Sequence, residues 1–295
     1  MSLLNTLRFI LDHPLNSGDR LGTLWRFASW QMGSRLVPGP VAVDFVEGTR
    51  LLVSPGQAGA TGNIYAGLHE MNEMGFVLHM LRGGELFVDV GANIGSYTIL
   101  AAGTVGARVV AFEPGADAFR ILRDNVRLND LGALVEIRNE AVGATIGQVE
   151  FTQGGDTVNR VALPSETGAS TTVKMNTLDN ALAGRIPSVI KIDVEGFESQ
   201  VIAGASATIE NPELKAIIIE TNGSGAVYDA RDSDLHAVIA QSGFTACTYD
   251  PFTRKVTAAA GPSSNGNTIY VREIPAASQR VESARKFSIA GHGFL

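Results

Sequence analysis

The stretch Leu86-Phe87-Val88-Asp89-Val90-Gly91-Ala92-Asn93-Ile94-Gly95 decides the fold of this 295-residue chain. A short apolar run ends near Asp89, the chain turns through Gly91 and Gly95, and a helical pattern begins at Tyr97. This order predicts a β-strand, a glycine turn and an α-helix. Glycine allows the backbone to approach a ligand closely, and the start of a helix offers unpaired N–H groups. The stretch therefore predicts a site for a nucleotide-like ligand.

Charge and spacing indicate which nucleotide this site would take. A dinucleotide site has glycines at its first, third and sixth positions, but counting from Gly91 places Asn93 and Ser96 at the third and sixth. Asp89 would repel a diphosphate but could hold S-adenosylmethionine (SAM), which carries a sulfonium and an ammonium. Glu113, at the end of the next apolar run, is placed to bind both hydroxyls of a ribose. Because both cofactors contain ribose, an NAD-linked oxidoreductase stays open as an alternative.

Five motifs follow one another along the chain. They are Asp89-Val90-Gly91-Ala92-Asn93-Ile94-Gly95-Ser96-Tyr97-Thr98, Phe112-Glu113-Pro114, Asn125 with Asn129, Thr177-Leu178-Asp179, and Lys191-Ile192-Asp193-Val194-Glu195-Gly196-Phe197-Glu198. In this order they resemble the FkbM family of SAM-dependent methyltransferases. The resemblance covers residues 65–220 and implies an α/β fold with a doubly wound, seven-stranded Rossmann-like sheet. It also implies methyl transfer, in this family usually to a hydroxyl oxygen of a sugar, polyketide or related natural product.

The resemblance extends to the residues that would hold the cofactor. The segment around Tyr65 and Glu70 is similar to the family's lead-in to the cofactor site, so both side chains are expected near the methionine end. The alternative is that Tyr65 belongs to the core and Glu70 to a helix surface. Asn139 and Ala141 follow the third predicted strand, where the family's adenine lies. The expected cofactor contacts are Tyr65, Glu70, Asp89, Gly91, Asn93, Gly95, Glu113, Asn139, Ala141 and Asp193.

Catalytic candidates lie at the end of a later predicted strand. Side chains alternate along a strand, so Lys191, Asp193 and Glu195 share one face. Methyl transfer from a sulfonium is an in-line displacement that depends on holding the acceptor oxygen in position, and an alcohol must also lose its proton. The three side chains are therefore predicted to be catalytic. The alternative is that they pair with one another and cap the following helix.

A metal ion is a second way to activate the hydroxyl. Asp193, Glu220 and Asn222 form an oxygen-rich set at two strand ends, and such a set could hold a magnesium-type ion. In this respect the chain resembles a separate branch of sugar O-methyltransferases, which uses acids at these two strand ends for a metal. The alternative is that Glu220 only terminates a strand.

The chain divides into three predicted segments. Residues 1–66 form an N-terminal extension of two amphipathic helices and a β-hairpin, residues 67–275 the methyltransferase domain, and residues 276–295 a tail that is disordered or caps a partner. The N-terminal helices are predicted to pack on the main domain, where they would form a lid over the substrate, or on a second copy in a homodimer. Because Trp25 and Trp30 lie beside Arg26 and Arg35, shallow membrane association is the alternative.

The composition of the chain indicates which binding partners and which cellular compartment to expect. The net charge is −7 and the chain has no cluster of lysines and arginines, so nucleic acid is not expected as a partner. The single cysteine, Cys247, excludes an internal disulfide framework and fits a reducing cytoplasm. No apolar run is long enough for stable membrane insertion, and residues 1–12 lack a secretory signal, so a cytoplasmic location is predicted.

A small-molecule hydroxyl acceptor is the expected partner. A noncatalytic, methyltransferase-like binding subunit is a further alternative, although the intact cofactor motifs argue against it.

Overall fold

The computed structural model describes residues 3–36, 39–154, 159–163, 168–264 and 266–295. The N-terminal part contains α1 (Leu3–Asp12), a 3-10 turn (Pro14–Asn16), α2 (Arg20–Leu36), β1 (Val41–Asp44), β2 (Arg50–Val53), α3 (Ala58–Ala66) and α4 (Met71–Met80). Strands β1 and β2 pair as an antiparallel hairpin around Glu47-Gly48. Within the described ranges, no helix combines the length and the apolarity that crossing a bilayer requires.

Strands and helices alternate through the rest of the chain, as the sequence predicts. The first group is β3 (Leu86–Val90), α5 (Ser96–Ile99), a π-helix (Leu100–Val105), β4 (Arg108–Phe112), α6 (Ala116–Leu128), β5 (Val135–Arg138), β6 (Ala141–Val142), β7 (Gly147–Thr152) and β8 (Ser170–Asn176). The second group is α7 (Leu178–Leu182), β9 (Val189–Ile192), α8 (Glu198–Ala203), α9 (Ser206–Glu210), β10 (Ala216–Glu220), a 3-10 turn (Ser224–Tyr228), α10 (Asp232–Gln241), β11 (Thr245–Asp250), β12 (Lys255–Ala258), β13 (Asn267–Val271), α11 (Ile274–Glu282), β14 (Ser288–Ile289) and β15 (Gly293–Phe294).

The main sheet has the strand order β12-β11-β13-β10-β9-β3-β4-β5. Strands β10, β9, β3, β4 and β5 are parallel to one another, and the pairs β10–β13, β13–β11 and β11–β12 are antiparallel. Successive side chains of β3 enter opposite cores, since Phe87 packs in one hydrophobic cluster and Val88 in the other. The first cluster also contains residues of α4 and α6, and the second contains residues of α7 to α10. The prediction of a doubly wound α/β sheet is confirmed.

The described part of the sheet has eight strands, not the seven that the resemblance implies. The additional strand, β12, forms the edge and pairs with β11. Only Val256 of its four residues is buried. The segment therefore lacks the alternation of apolar and polar residues from which a strand is predicted. Its position instead depends on a tight turn in which the Asp250 carboxylate accepts a hydrogen bond from the Phe252 backbone N–H at 2.9 Å.

The N-terminal extension and the tail pack on the same core as the catalytic strands. Ile10 and Trp30 from the N-terminal helices are buried in the first hydrophobic cluster, together with Phe287, Ile289 and Leu295 from the tail. The tail, for which disorder or partner capping was expected, contributes α11 and the β14–β15 hairpin. The three predicted segments therefore share one core in the described structure.

Candidate active site

A cavity of about 880 Å³ opens at the carboxyl ends of the parallel strands. It lies where β3 is flanked by β4 on one side and β9 on the other, which is the point where doubly wound sheets bind ligands. Its volume is within the usual range for small-molecule sites. The predicted site residues in its wall are Glu70, Asp89, Gly91, Asn93, Glu113, Ala141, Lys191, Asp193, Glu195 and Glu220.

At both glycines of the turn, a Cβ atom would come too close to other atoms of the protein. Gly91 has φ +79°, and a Cβ atom there would lie 1.8 Å from the carbonyl oxygen of Asp193. Gly95 has φ +93°, and its Cβ would lie 2.5 Å from Cδ1 of Leu122. From the sequence alone, these glycines are expected to allow a ligand to approach the backbone. In the structure, Gly91 first of all lets the ends of β3 and β9 approach each other.

Glu113 is fixed in the cavity wall by backbone donors. The Asn93 N–H donates to its Oε2 at 2.8 Å, and the Gly115 N–H donates to its Oε1 at 2.7 Å. Burial raises the pKa of the Glu113 carboxyl to about 7, although these two hydrogen bonds act in the opposite direction. Each carboxylate oxygen can accept a further hydrogen bond. The fixed carboxylate can therefore still receive donors from a ligand.

Asp89 is the most deeply buried acid of the cavity, with 1% of its surface exposed. The Thr98 hydroxyl donates to its Oδ2 at 2.6 Å. Burial raises the pKa of Asp89 to about 6. A cationic ligand in the cavity would favour the ionised carboxylate, because opposite charges lower the pKa of an acid.

Lys191 is a buried cation at the centre of the site. Its ammonium donates to Oδ2 of Asp193 at 2.7 Å and lies 4.8 Å from the centroid of the Tyr97 ring. Burial opposes its charge, but the Asp193 carboxylate more than compensates and raises the pKa of Lys191 above its ordinary value. Lys191 therefore remains protonated. Of the roles predicted for it, the geometry favours pairing with Asp193 and not accepting a proton.

Three carboxylates meet beyond the ends of β9 and β10. Asp193, Glu195 and Glu220 each place one oxygen within 4.8 Å of the others. Burial, followed by the charge of Asp193, raises the pKa of Glu195 to about 7 and that of Glu220 to about 8. A carboxyl whose pKa lies near neutrality is suited to accept a proton from a bound hydroxyl.

Asn222 occupies a different position from the one predicted for a metal ligand. Its Nδ2 donates to Oε1 of Glu220 at 2.8 Å, and its Oδ1 accepts the Ser224 N–H at 2.8 Å. The amide oxygen is thus already engaged in the turn after β10. Asp193 and Glu220 of the predicted set do come together, and Glu195 lies where the third oxygen ligand was expected.

Tyr65 and Asn139 lie outside the cavity wall. Tyr65 is buried, accepts a hydrogen bond from Gln31 at 2.8 Å and packs against the Phe27 ring. Its environment is therefore the core environment that the sequence analysis weighed as the alternative. The Asn139 amide donates to the backbone carbonyls of Glu113 and Pro114 at 2.8 and 3.0 Å, so it holds the loop that carries Glu113.

Glu70 belongs to a hydrogen-bond network that the sequence did not reveal. The Tyr97 hydroxyl donates to its Oε2 at 2.6 Å, and the Asn267 amide donates to its Oε1 at 2.7 Å. The network connects the start of α4, helix α5 and strand β13. Asn267 is 197 residues from Glu70, so no local pattern could have indicated the contact.

The small sheet of β6, β8 and β7 supplies a wall of the cavity that the sequence analysis also missed. Phe151, Gln153 and Thr171 line the cavity. Phe151 lies in β7 and pairs with Thr171 of β8, and Gln153 follows directly after β7. The available signal was the strand pattern of these two segments, which did not indicate that they reach the cavity.

The known proteins to which this chain is similar are methyltransferases. A family model described as the methyltransferase FkbM domain matches residues 89–251. Hexuronic acid methyltransferase AglP of Haloferax volcanii is 26% identical over 153 residues, which are 51% of this chain and 62% of that protein. Ribosomal protein L11 methyltransferase of Syntrophomonas wolfei is 32% identical over 126 residues, which are 43% of this chain and 36% of that protein.

Among solved structures, the chain is similar to the C-terminal domain of precorrin-6Y C5,15-methyltransferase from Rhodobacter capsulatus. The TM-score is 0.41, and the identity is 15% over 70% of this chain and 90% of that one. The chain spans less than two thirds of the length of both curated relatives. The family model, in contrast, covers more than half of this chain and includes the strand ends that carry Asp89, Glu113, Asp193 and Glu220. The chain therefore belongs to the FkbM methyltransferase domain family.

Proposed function

We propose that this chain is a SAM-dependent O-methyltransferase that methylates a hydroxyl group of a sugar, polyketide or related natural product. One observation carries the proposal. A single cavity contains Asp89 and Glu113, which suit a cationic nucleoside, and also contains the carboxylates Asp193, Glu195 and Glu220, which suit a hydroxyl acceptor. The relative named as a hexuronic acid methyltransferase supports a sugar as the acceptor class.

The residues of the cavity would have different roles in the reaction. SAM, when bound, supplies a methyl group activated by the sulfonium. Glu113 would hold the ribose hydroxyls and Asp89 would balance the positive charge. Glu195 would accept the proton of the acceptor hydroxyl as the new oxygen–carbon bond forms and the sulfur–carbon bond breaks. Asp193, held by Lys191, would position the acceptor in line with the methyl group.

A magnesium ion is a second candidate for activating the hydroxyl. The oxygens of Asp193, Glu195 and Glu220 have the chemistry that Mg²⁺ prefers. A bound ion would orient the acceptor oxygen and lower its pKa. The reaction would need a bound metal ion in the second case and not in the first, so removal of metal by a chelator distinguishes them.

We expect Asp89→Ala and Glu113→Ala each to weaken binding of S-adenosylhomocysteine (SAH) about tenfold or more. Each change removes a charge-assisted interaction worth roughly 1.5 to 3 kcal/mol. Because the pKa of Glu113 is raised to about 7, its carboxylate is ionised above that pH, and the affinity of the parent should decline as the pH falls below it. Isothermal titration calorimetry with SAH measures both effects. Unchanged affinity in both variants, or binding of NADH in place of SAH, would contradict the assignment of the cavity.

We expect the chain to transfer an isotopically labelled methyl group from SAM to a hydroxyl compound in a panel of sugars and polyketides, detected by mass spectrometry. If Glu195 accepts the proton unaided, EDTA leaves the rate unchanged. If Mg²⁺ is required, EDTA abolishes the rate, Mg²⁺ restores it, and Glu220→Gln reproduces the loss. Transfer to nitrogen or carbon acceptors alone would refute O-methylation, and SAH binding without transfer to any acceptor would favour the noncatalytic subunit.

A further inference from the structure

Helix α2 has an apolar face directed away from the protein. Its buried residues, Thr23, Trp30 and Ser34, lie on one side. The opposite side carries side chains at helical spacing that are largely exposed. These are Leu21, Trp25, Met32 and Leu36, which are 83%, 69%, 59% and 81% exposed; together they are called the outer face of α2.

The arginines beside this face are not balanced by acids, although the chain as a whole carries −7. Asp19, at the start of the helix, pairs with Arg26 at 3.6 Å. Arg20 and Arg35 are exposed, and the carboxylates of the described residues all lie beyond salt-bridge distance from them. Arg35 instead donates to the neutral side chain of Gln31 at 2.7 Å. The two arginines are therefore available to an anionic partner.

The size of the outer face restricts what can cover it. A helix of 17 residues spans roughly 25 Å, and a face about 10 Å wide offers only roughly 250 Å². A stable protein dimer needs about 800 Å² on each partner. The face is thus too small for a stable self-association through α2 alone. A bilayer surface sets no such minimum area, and it accommodates tryptophan and arginine at the level of the lipid headgroups.

We propose that the outer face of α2 docks this chain on the surface of an anionic lipid bilayer. The helix would lie in the plane of the interface, with its four apolar side chains at the acyl boundary and Arg20 and Arg35 at the headgroup phosphates. The attachment is peripheral and reversible. Helix α2 contacts α3 through the Gln31–Tyr65 hydrogen bond, and α3 places Ala60 and Asn63 in the cavity wall. Docking would therefore hold the cavity close to the membrane, whatever acceptor the cavity takes.

The test is co-sedimentation of the full chain with vesicles of phosphatidylcholine alone or mixed with phosphatidylglycerol. We expect binding to the mixed vesicles, weaker binding at high salt, and a blue shift of the emission of Trp25. Met32→Glu should reduce the partition coefficient about tenfold, because an apolar contact is replaced by a charge. Arg20→Gln and Arg35→Gln should each reduce it about fivefold on anionic vesicles only. Phe252→Glu, at a position 52% exposed in the β11–β12 turn, is the matched control and should bind like the parent.

Unchanged SAH affinity in the α2 variants establishes that they are folded, and it makes this test independent of the proposed enzymatic activity. The proposal is overturned if the parent does not bind mixed vesicles, or if Met32→Glu binds them as well as the parent does. It is also overturned if analytical ultracentrifugation finds a dimer that Met32→Glu dissociates, because the outer face is then an interface between two copies.

Discussion

Asp193→Asn should lower turnover about 100-fold or more and leave SAH affinity nearly unchanged. The substitution preserves the shape of the side chain and one acceptor oxygen for Lys191, but it removes the negative charge. That charge matters most when the acceptor oxygen and the methyl group are in line, so the loss should appear in kcat and not in cofactor binding. Steady-state kinetics at saturating SAM, together with calorimetry on the same preparation, measure the two quantities.

Glu136→Gln is a suitable control for Asp193→Asn. Glu136 accepts a hydrogen bond from Arg185 at 2.7 Å, the same length as the bond between Lys191 and Asp193, but it lies outside the cavity wall. Loss of that ion pair should leave turnover within about twofold of the parent's, because an exposed ion pair contributes little to stability. A turnover of Asp193→Asn close to that of the parent would place the reacting atoms at a different strand end.

Gly91→Ala should destabilise the fold by roughly 3 to 5 kcal/mol and abolish measurable SAH binding. The left-handed backbone at this position costs about 1 to 2 kcal/mol for any residue with a Cβ atom. The larger part comes from the contact at 1.8 Å with the carbonyl oxygen of Asp193, which forces the ends of β3 and β9 apart. Urea unfolding measures the change in free energy, and calorimetry measures the loss of binding.

Gly84→Ala separates these two contributions. Gly84 also has φ +79°, but a Cβ atom there would meet no heavy atom within 4 Å. Gly84→Ala should therefore cost about 1 to 2 kcal/mol and leave SAH binding intact. If the two variants were equally stable, the close approach of β3 and β9 would not be what requires glycine at position 91.

The sequence predicted the part of the site that depends on local order. Asp89, Gly91 and Glu113 each follow directly from a strand and its turn, because the carboxyl ends of parallel strands meet at one edge of a sheet. The same reasoning placed Asp193 and Glu220 close together. Their roles in binding and catalysis remain predictions that the experiments above test.

The sequence could not predict contacts that depend on tertiary packing. Asn267 reaches Glu70 only because β13 enters the sheet beside β10. Strand alternation did predict that Glu195 lies beside Asp193, but Glu195 lies beyond the end of β9 with φ +55°, a backbone conformation that a residue other than glycine rarely takes and that spacing does not reveal. Asn222 was expected among the metal ligands, but the turn after β10 uses its oxygen to accept a backbone N–H.

The position of β13 also governs how the chain can assemble. In the described part of the sheet, the hairpin of β11 and β12 is joined to the parallel strands only through β13, which is made after both of them. Until β13 inserts, β10 is an unpaired edge with the sequence Ala216-Ile217-Ile218-Ile219-Glu220. Such an apolar edge readily pairs with strands of other chains. Slow synthesis or interrupted translation between β10 and β13 should therefore expose newly made chains to aggregation, and chaperones that shield strand edges should matter most during that interval.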